Sequence, residues 1–526
     1  MKTATQSDVM TQTGRGTIVL GLSALIFLLA VVLRIGLLNI APEFDELYHL
    51  LAARSWINEG TLAILDGVYE RGAYFTKAVA AVMGAFGEDL ATGRLLTVLV
   101  GGLIPVVFFV WVNRTVGLAV ALIVAAFTIV WPQGILEAQT MRFYAPQVLA
   151  YVIGASALFM AIAQPPSHRV VWGVIAIVAW AIALHLQITS AVGIAAALGA
   201  AYVIVLFDKI ESLRGRIIAI GLTVLVGLLA LAVTYQTGIL EKAIAYYRWT
   251  PGHAERLRDY HSFYHHQFIR IYGILWWTTP VWALIALWAK PRIAFYALTI
   301  FFCCLVIHSF GGMKSLRYLS YASPMLFIVW AIAAVTIWQM IARRLGDKVA
   351  SAAAVVAAIA VVAMTGFAGE ALRFAQGEDY RPREDWRDAR AVIGDWENVP
   401  FVATTRELHY AEYIGNYDIV VSRSRVTEIV PPVDFTLDFR TGRPAIGDAT
   451  SIAAMFACAP DGMIVTTPQW LDGDGAGAMF AENLAEAGFD SERREAGTVA
   501  ALRWSAPAGF TADCSGVPEG ALASAS

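Results

Sequence analysis

Charged residues are scarce in this chain, and their scarcity limits what the protein can be. Asp, Glu, Lys and Arg make up 15% of the 526 residues, and hydrophobic residues make up 58%. An ordinary soluble domain is about 25% charged and about 45–50% apolar, so this composition excludes a single domain of that kind. Charge is rare before residue 370 and common after it. This uneven distribution predicts a membrane part followed by a separate soluble part.

An excess of positive charge is also missing, and cysteine is rare. The net charge of −3 gives no reason to expect a nucleic acid as a partner. Cys303 and Cys304 lie in an apolar run, where we expect small buried side chains. Cys458 and Cys514 lie in the soluble part, where they either form a disulfide in an oxidising compartment or remain thiols. Their spacing does not match a zinc site.

Long apolar runs dominate the chain before residue 370. A membrane-spanning helix needs about 20 mostly apolar residues, so we expect about eleven spans. The first run is too long for a signal-peptide core and is expected to be retained as a span. The uncharged stretch 170–207 is too long for one span and is divided at its polar interruption, 185–189. The predicted spans are roughly 17–40, 95–113, 116–136, 146–163, 170–186, 188–207, 217–235, 271–289, 293–310, 320–341 and 349–368.

Basic residues in the short loops indicate the orientation of these spans. Cytoplasmic loops are enriched in Lys and Arg, so the basic loops and the N-terminus are expected inside. An odd number of spans then places the C-terminal domain outside, together with the longer loops 41–94, 237–270 and 311–319. The basic residues that define the inner side are Arg114, Arg169, Lys209, Arg214, Arg216, Lys290, Arg292, Arg343, Arg344 and Lys348.

Residues 370–526 are predicted to form a soluble α/β domain outside the membrane, after a transmembrane domain of residues 1–369. Strand-like and helix-like patterns alternate along the soluble part, which predicts a small α/β sandwich. The strand-like runs are 401–404, 419–422, 463–467 and 499–505, and the helix-like runs are 384–396, 407–415, 450–458 and 477–487.

Three carboxylates, Glu43, Asp45 and Glu46, lie where the chain leaves the first span. A hydrated loop is the simplest interpretation. Asp45 and His49 are four residues apart, however, and in a helix both would lie on one face. A carboxylate at the membrane surface can act as a general base. Asp45 and Glu46 are therefore the candidate catalytic residues, and His49 is a candidate substrate contact.

Further charged residues lie on the same predicted side. The first outer loop contains an apolar segment too short to span, which suits an interfacial helix. Lys77 in that segment could contact an anionic head group of the substrate, or it could simply reach lipid phosphates. Glu137, Arg142 and Tyr144 lie between the third and fourth spans. Charges at helix ends are common, but these residues would line one cavity with the first carboxylates if the outer helix ends converge.

Lys314 and Arg317 make loop 311–319 strongly basic on the predicted outer face. This placement departs from the trend that positive charge lies inside. An anionic ligand would explain it, because Lys and Arg bind phosphate through charge and directed hydrogen bonds. Pairing with an acidic loop is the alternative.

The outer loop 237–270 is rich in histidine. His261 and His265 have the four-residue spacing that suits a metal, but no Cys or carboxylate pattern completes a site, and no metal ligands are assigned. A lid of aromatic residues over the cavity is the favoured interpretation. His265 is therefore a candidate substrate contact.

The order of these features resembles the GT-C superfamily of polyprenyl-phosphate-sugar-dependent glycosyltransferases. Its members include protein O-mannosyltransferases and the aminoarabinose transferase that modifies lipid A. The resemblance covers roughly residues 17–345 and depends on four local matches. The matching residues are Arg34 with Asp45-Glu46; Ala85-Phe86-Gly87 through Gly93-Arg94-Leu95-Leu96; Arg142-Phe143-Tyr144; and Lys314, Arg317, Tyr318, Leu319 and Pro324.

The resemblance implies an enzyme of the bacterial inner membrane that moves a sugar from a polyprenyl-phosphate carrier to a hydroxyl of a glycan, lipid or protein. Preorganised charge would stabilise the departing phosphate. Asp45 would deprotonate the acceptor on the opposite face of the sugar, so the anomeric centre would invert. Some relatives use a divalent metal such as Mg²⁺ or Mn²⁺ and others do not, and the sequence leaves this open. The residues expected to hold the phosphate are Lys314, Arg317, Tyr318 and Arg142.

Other functions and the acceptor stay open at this point. Many relatives carry a Pro-Pro-Leu element where this chain has Arg71-Gly72-Ala73-Tyr74, which leaves the acceptor and the subfamily undetermined. A transporter or lipid flippase is one alternative, although such proteins often place charges within their spans and use repeated halves. The predicted spans here contain few charges, and no repeat is visible. A polymerase or ligase acting on lipid-linked glycans is the other alternative.

Overall fold

A computed structural model describes residues 6–36, 38–163, 166–250, 252–376, 378, 383–426, 433–519 and 521–522. The chain divides into two compact units. The first, here called the membrane unit, contains residues 1–38, 97–139 and 143–379. The second, here called the loop–sheet unit, contains residues 39–96, 140–142 and 380–526.

Most elements along the chain are helices, and most strands follow residue 400. The helices are α1 (Gln6–Val32), α2 (Phe44–Glu59), α3 (Ala73–Phe86), α4 (Leu90–Thr115), α5 (Leu118–Ile129), α6 (Pro132–Ala138), α7 (Tyr144–Ala163), α8 (Pro166–Leu186), α9 (Ser190–Lys209), α10 (Leu213–Gln236), α11 (Ile239–Arg248), α12 (Phe263–Tyr272), α13 (Ile274–Trp277), α14 (Thr279–Ala289), α15 (Pro291–Ser309), α16 (Met325–Leu345), α17 (Asp347–Met364), α18 (Phe367–Ala375), α19 (Ala389–Ile393), α20 (Glu407–Tyr413), α21 (Arg423–Val426), α22 (Ala449–Cys458), α23 (Pro468–Leu471) and α24 (Ala476–Glu486). The strands are β1 (Ala63–Ile64), β2 (Gly67–Val68), β3 (Val402–Thr404), β4 (Ile419–Val421), β5 (Thr436–Leu437), β6 (Pro444–Ile446), β7 (Asp461–Thr466), β8 (Asp490–Ala496) and β9 (Val499–Ser505).

The apolar runs form helices of membrane-spanning length. A helix satisfies its backbone N–H and C=O groups within its own segment, which is what a water-free environment requires. Within the described ranges, eight helices are long and apolar enough to cross a membrane, and the bent pair α5 and α6 would make a ninth. Together with the shorter apolar helices α1 and α14, they fall on all of the spans predicted from the sequence. The chain is therefore a multi-pass membrane protein.

A buried arginine stabilises the break between α5 and α6, which are bent by 57°. The Arg34 guanidinium donates hydrogen bonds to the carbonyl oxygens of Thr128 and Ile129 at 3.2 and 3.1 Å. These carbonyls lie at the end of α5, where a helix leaves its last C=O groups without partners in the helix. Gly101 lies beside this point, and a Cβ on it would come within 2.4 Å of the Cβ of Ala138. Only glycine leaves room there for the bent span.

The loop–sheet unit is built around a seven-stranded sheet with the order β5-β6-β4-β3-β7-β9-β8. Strands β6, β4, β3 and β7 are parallel, and β5, β9 and β8 pair antiparallel to their neighbours. Each face of the sheet has its own apolar core: Ala403 and Ile464 belong to one core, and Val402 and Val465 to the other. The predicted α/β sandwich is confirmed, with a core on both sides of the sheet.

Several elements of the soluble part differ from the sequence-based expectation. The helix predicted over 384–396 is short, because α19 covers Ala389–Ile393 and a 3-10 turn, Gly394–Asn398, follows it. Strands β5 and β6 were not predicted, and neither was strand β8. Its sequence is Asp-Ser-Glu-Arg-Arg-Glu-Ala and it is the edge strand beside β9, so almost all of its residues are exposed. An edge strand with no buried face lacks the apolar alternation that identifies strands in a sequence.

The segment after the first span belongs to the same compact unit as the sheet. Helix α2, the hairpin of β1 and β2, and helix α3 all lie within residues 39–96. The Asp66 N–H donates to the Thr441 carbonyl at 3.1 Å, and the Val68 N–H donates to the Phe439 carbonyl at 3.3 Å. Elsewhere in the unit, Cys458 and Cys514 form a disulfide, one of the two states that the sequence left open.

Candidate active site

Asp45 lies in the first turn of α2 and forms an ion pair with Arg142. Acidic residues in a first turn are favoured by the unpaired N–H groups and the dipole of the helix. The Asp45 side chain is 41% exposed, whereas that of Arg142 is 4% exposed. The buried guanidinium therefore fixes a carboxylate that solvent or a substrate can still reach. The helix predicted to carry Asp45 and His49 is present.

Glu46, the next residue, is in the opposite situation. Its side chain is fully buried, and Arg94 donates to both carboxylate oxygens at 2.8 and 2.7 Å. The Met141 N–H donates to Oε1 at 2.6 Å, and the Glu43 N–H donates to Oε2 at 2.8 Å. Burial alone would raise the pKa of Glu46, but Arg94, Arg383 and the Met141 N–H together bring its pKa below the usual value. Glu46 is an ionised structural anchor at the start of α2.

His49 is buried one turn after Asp45. Its Nδ1 is 2.9 Å from the Thr76 hydroxyl, and its ring makes edge contacts with Tyr69 and Phe75 at 5.3 and 4.9 Å between centroids. Burial lowers the pKa of His49 well below its ordinary value, and the positive charge of Arg142 lowers it further. The imidazole is thus neutral near pH 7 and packs α2 against α3.

Lys77 on α3 lies over the ring of Trp56, with 4.0 Å between its ammonium and the ring centroid. A cation over an indole face is attracted by the ring quadrupole, so this contact joins α3 to the second half of α2. The sequence suggested a head-group contact for Lys77. The structure gives the ammonium a partner within the loop–sheet unit.

In the membrane unit, Lys314 pins two loops together. Its ammonium donates to the carbonyl oxygens of Leu257, Arg258 and Gly311 at 2.6, 2.8 and 2.7 Å, and the residue is 4% exposed. Burial lowers the pKa of Lys314, and Asp259 opposes that effect. An ammonium has three N–H donors, and three carbonyls occupy them.

Arg317 lies three residues later in the same loop and is flanked by two aromatic rings. Its guanidinium carbon is 5.4 Å from the Tyr144 ring centroid and 5.5 Å from the Tyr318 ring centroid. Guanidinium groups commonly stack on aromatic faces in this way. Tyr144 is 3% exposed, so its ring is held in place by its surroundings and positions the Arg317 guanidinium.

The two remaining predicted residues of the membrane unit have local partners. Glu137, which is 4% exposed, accepts a hydrogen bond from the Gln133 amide at 2.8 Å within α6. His265 on α12 accepts a hydrogen bond from the Trp276 indole N–H at 3.1 Å and also contacts the Trp277 ring. The aromatic surroundings agree with the predicted aromatic character of this loop.

The structure brings the predicted residues together in two local groups. Asp45, Glu46, His49 and Arg142 lie together in the loop–sheet unit, with Lys77 further along α3. Tyr144, Arg317 and Tyr318 lie together in the membrane unit. Within the part of the chain that the structure describes, no group of three or more His, Cys, Asp and Glu side chains could hold a metal ion.

Two arginines next to this site were not predicted as functional residues. Arg94 binds Glu46. The only sequence feature that pointed to Arg94 is its place in the motif that ends at Leu96. Arg383 donates to the Ala41 carbonyl at 2.9 Å and lies 3.4 Å from a Glu46 oxygen. Arg383 is so far from α2 in sequence that spacing arguments give no signal for the contact.

Comparison with known proteins identifies the fold. No protein-family model and no curated protein sequence matches the chain. Among solved structures, ArnT from Cupriavidus metallidurans in the apo state matches with a TM-score of 0.58 and 15% identity, over 94% of this chain and 98% of that one. The same protein bound to undecaprenyl phosphate matches with a TM-score of 0.56 and 13% identity, over 93% and 98%.

A second solved protein shares the architecture. The oligosaccharyltransferase AglB from Archaeoglobus fulgidus, in complex with an inhibitory peptide and a dolichol-phosphate, has a TM-score of 0.59 and 12% identity. That match covers 91% of this chain and 73% of AglB. Both proteins are GT-C glycosyltransferases. The chain therefore has the GT-C fold, as its sequence motifs predicted.

Proposed function

We propose that this protein is an inverting glycosyltransferase that moves a sugar from a polyprenyl-phosphate carrier to an acceptor hydroxyl. The observation that carries the proposal is the accessible carboxylate of Asp45, fixed by buried Arg142 at the start of α2. An acceptor hydroxyl is a poor nucleophile until a positioned base takes its proton, and such catalysis is worth roughly 10²–10⁴ in rate. Asp45 is proposed as that base.

Glu46 is assigned a supporting role. Both of its oxygens already accept hydrogen bonds from Arg94 and from backbone N–H groups, and the side chain is fully buried. A base must reach the proton that it removes, to within about 2.6–3.2 Å. Glu46 therefore positions the helix that carries Asp45, and His49 packs that helix from the next turn.

Arg317 is proposed to bind the leaving phosphate, with Tyr144 and Tyr318 holding its guanidinium. A lipid phosphate leaves as an anion, so its departure needs stabilised charge more than a proton donor. Lys314 is expected to keep the loop in shape, because its ammonium is occupied by three carbonyl oxygens. Arg142 would add positive charge near the base. No step of this proposal uses a metal.

The donor class is supported by the two solved proteins with this fold. One was solved bound to undecaprenyl phosphate and the other in complex with a dolichol-phosphate, and both ligands are polyprenyl phosphates. We extend that class to this chain. The sugar, and whether the acceptor is a glycan, a lipid or a protein, are questions for the assay.

Reaction on the outer face of the bacterial inner membrane is also part of the proposal. The basic short loops favour a cytoplasmic N-terminus, with residues 370–526 in the periplasm. The Cys458–Cys514 disulfide supports this orientation, because disulfides persist in the periplasm and are rare in the cytosol.

The proposal is tested with purified protein, a panel of polyprenyl-phosphate sugars, and glycan, lipid and protein acceptors that each carry a free hydroxyl. The assay measures donor consumption, and nuclear magnetic resonance identifies the anomeric configuration of the product. We expect one donor to be consumed with inversion by the wild type and by Glu59→Gln, an exposed position on the same helix, but not by Asp45→Asn. Retention of configuration would contradict the direct displacement. If no donor is consumed, the result contradicts the proposed transferase activity and favours lipid transport.

A further inference from the structure

One edge of the C-terminal sheet is covered by the helix that carries Asp45. Strands β3 and β4 are parallel, so their carboxyl ends meet at the same edge, where α20 and α21 begin. In open α/β sheets this edge is where ligands are usually bound. Here helix α2 of the same chain lies against it. The sheet thus holds a segment of its own chain at the edge where such folds commonly hold a ligand.

Tyr48 makes the central contact of this arrangement. Its hydroxyl accepts a hydrogen bond from Arg425 at 2.6 Å, and Arg425 is held in turn by Glu407, whose Oε1 accepts from Nε at 2.8 Å. The ring of Tyr48 stacks on Tyr69 with 4.7 Å between centroids and 9° between planes. Tyr48 and Glu407 are 4% and 2% exposed, so the contact is removed from water. Hydrogen bonds to charged groups in such surroundings are stronger and more directional than exposed ones.

Phe44, one turn earlier on α2, makes a second contact with the same edge. Its ring lies 5.8 Å from the His409 ring on α20 and 5.5 Å from the guanidinium carbon of Arg425 on α21. His409 is 2% exposed and also packs against Trp386 at 5.5 Å. Phe44 and Tyr48 are the residues before and after the turn of α2 that contains Asp45, so both ends of that turn are fixed.

The hairpin that follows α2 is fixed as well. A Cβ on Gly67 would come within 2.4 Å of the Arg440 carbonyl carbon. Gly442 has a φ of +71°, and a Cβ there would meet the Asp66 backbone at 2.5 Å. Backbones approach this closely only where both positions are glycine. The two segments are therefore fitted to one another along their main chains, in addition to the side-chain contacts of α2.

We infer that the C-terminal sheet is a positioning domain for the proposed base, and that Arg425 is its principal positioning residue. Arg425, oriented by Glu407, fixes Tyr48. This contact thereby fixes the rotation of the first turns of α2 about the helix axis and their position along that axis. A displacement of about 1 Å at a reacting group can cost roughly 10²-fold in rate, so a contact one turn from Asp45 can control catalysis without touching the substrate. This inference depends on the proposed role of Asp45.

The competing role for residues 370–526 is acceptor recognition. The two roles predict different kinetics. Loss of a positioning contact lowers kcat for every acceptor and leaves the donor KM unchanged, because it disturbs the transition state and not donor binding. Loss of an acceptor-binding contact raises the KM of the acceptor and depends on which acceptor is used.

The test compares Arg425→Gln and Tyr48→Phe with Arg503→Gln. Arg503 is a partly exposed arginine on β9, paired with Asp461 at 3.5 Å in the same sheet. The first measurement is hydrogen exchange of the amides of residues 43–50 in the full-length protein. We expect exchange there to be at least about tenfold faster in Arg425→Gln and moderately faster in Tyr48→Phe, and unchanged in Arg503→Gln. Unchanged exchange in both test variants would overturn the inference.

The second measurement is turnover of the donor found in the panel. We expect kcat to fall by about 10- to 100-fold in Arg425→Gln, with the donor KM changed less than about threefold. Arg425→Lys, which keeps the charge, should recover part of kcat. A raised acceptor KM with unchanged kcat would overturn positioning in favour of acceptor recognition.

The two measurements separate the inference from the proposed function. If the wild type consumes no donor, the transferase proposal fails, whereas hydrogen exchange still decides whether Arg425 fixes α2. If Arg425→Gln does not fold, Tyr48→Phe removes only one hydroxyl from a stacked ring and takes its place. Normal exchange and normal kcat in Tyr48→Phe would then contradict the inference.

Discussion

Arg94 donates to both carboxylate oxygens of Glu46, at 2.8 and 2.7 Å, although 48 residues separate them in the sequence. Both side chains are fully buried. Removing one partner of such a pair leaves an uncompensated charge in a site of low polarity, which typically costs about 3–5 kcal/mol. We therefore expect Glu46→Ala to lower the thermal stability of the purified protein strongly, as measured by its melting temperature in detergent.

The control for this prediction is Glu59→Gln, at the exposed end of the same helix. Surface changes of this kind usually alter stability by less than about 0.5 kcal/mol. A melting temperature for Glu46→Ala equal to that of Glu59→Gln would show that the buried pair does not hold α2 in place.

Gly101 is predicted to be intolerant of even one methyl group. A Cβ there would lie 2.4 Å from the Cβ of Ala138 and 3.4 Å from Cδ of Arg34, next to the bend between α5 and α6. Overpacking of a buried contact costs about 1–3 kcal/mol, so Gly101→Ala should lower the melting temperature. The double variant Gly101→Ala/Ala138→Gly should recover most of the loss.

Gly221→Ala serves as the matched control, because nothing lies within 4 Å of a Cβ at that position in α10. Alanine also favours a helix over glycine, so this variant should be neutral or slightly stabilised. Equal effects of the two alanine substitutions would contradict the close approach at Gly101.

His409 is predicted to make the loop–sheet unit sensitive to acid. Burial lowers the pKa of His409 to about 4, with Glu384 opposing and Arg406 assisting. The unfolded imidazole has a pKa near 6.5, so between those values the unfolded state binds more protons and stability falls as pH falls. The stability that depends on a neutral His409 is fully present above about pH 6.5 and is lost as the pH falls towards 4, with a total of about 3.4 kcal/mol.

The check for this prediction is the melting temperature of wild type and His409→Phe between pH 7.5 and 4.5. Phenylalanine keeps the ring contacts with Phe44 and Trp386 and cannot be protonated. We expect the wild type to lose more stability than His409→Phe over this range. Parallel profiles would mean that His409 does not couple proton binding to the fold.

The disulfide between Cys458 and Cys514 should stabilise the C-terminal sheet. It closes a loop with a sequence separation of 56 residues. A cross-link of that span restricts the unfolded chain by about 4 kcal/mol in the chain-entropy description. Reduction should therefore lower the unfolding temperature of this part of the protein, and the double variant Cys458→Ala/Cys514→Ala should show no further response to reductant. Cys303→Ala, outside the pair, should behave like the wild type.

The sequence was sufficient for the membrane helices, the GT-C fold and the helix carrying Asp45, because each depends on local composition or on a short motif. It was not sufficient for the partners of buried charges. Arg94 and Glu46 appeared in two separate motifs, and nothing in either motif states that they pair. Lys314 looked like a phosphate ligand from its basic loop, but its ammonium binds carbonyls of a loop more than fifty residues earlier.

The contact between α2 and the C-terminal sheet was outside the reach of sequence reasoning for the same reason. Tyr48 and Arg425 are separated by 377 positions, and their pairing depends on the tertiary fold alone. Strand β8 was missed because an edge strand of charged residues has no buried face to create a pattern. The periodicity of apolar residues indicates which face of one element is buried. It does not indicate which elements contact each other.

The central claim is that Asp45 is the base of a sugar transfer, and its most direct test separates chemistry from binding. We would measure kcat for transfer and Kd for the polyprenyl-phosphate donor in wild type, Asp45→Asn and Glu59→Gln. The account predicts that Asp45→Asn loses about 10²–10⁴-fold in kcat and binds the donor within about threefold of wild type, whereas Glu59→Gln retains both. An Asp45→Asn protein that transfers sugar at the wild-type rate would contradict the account.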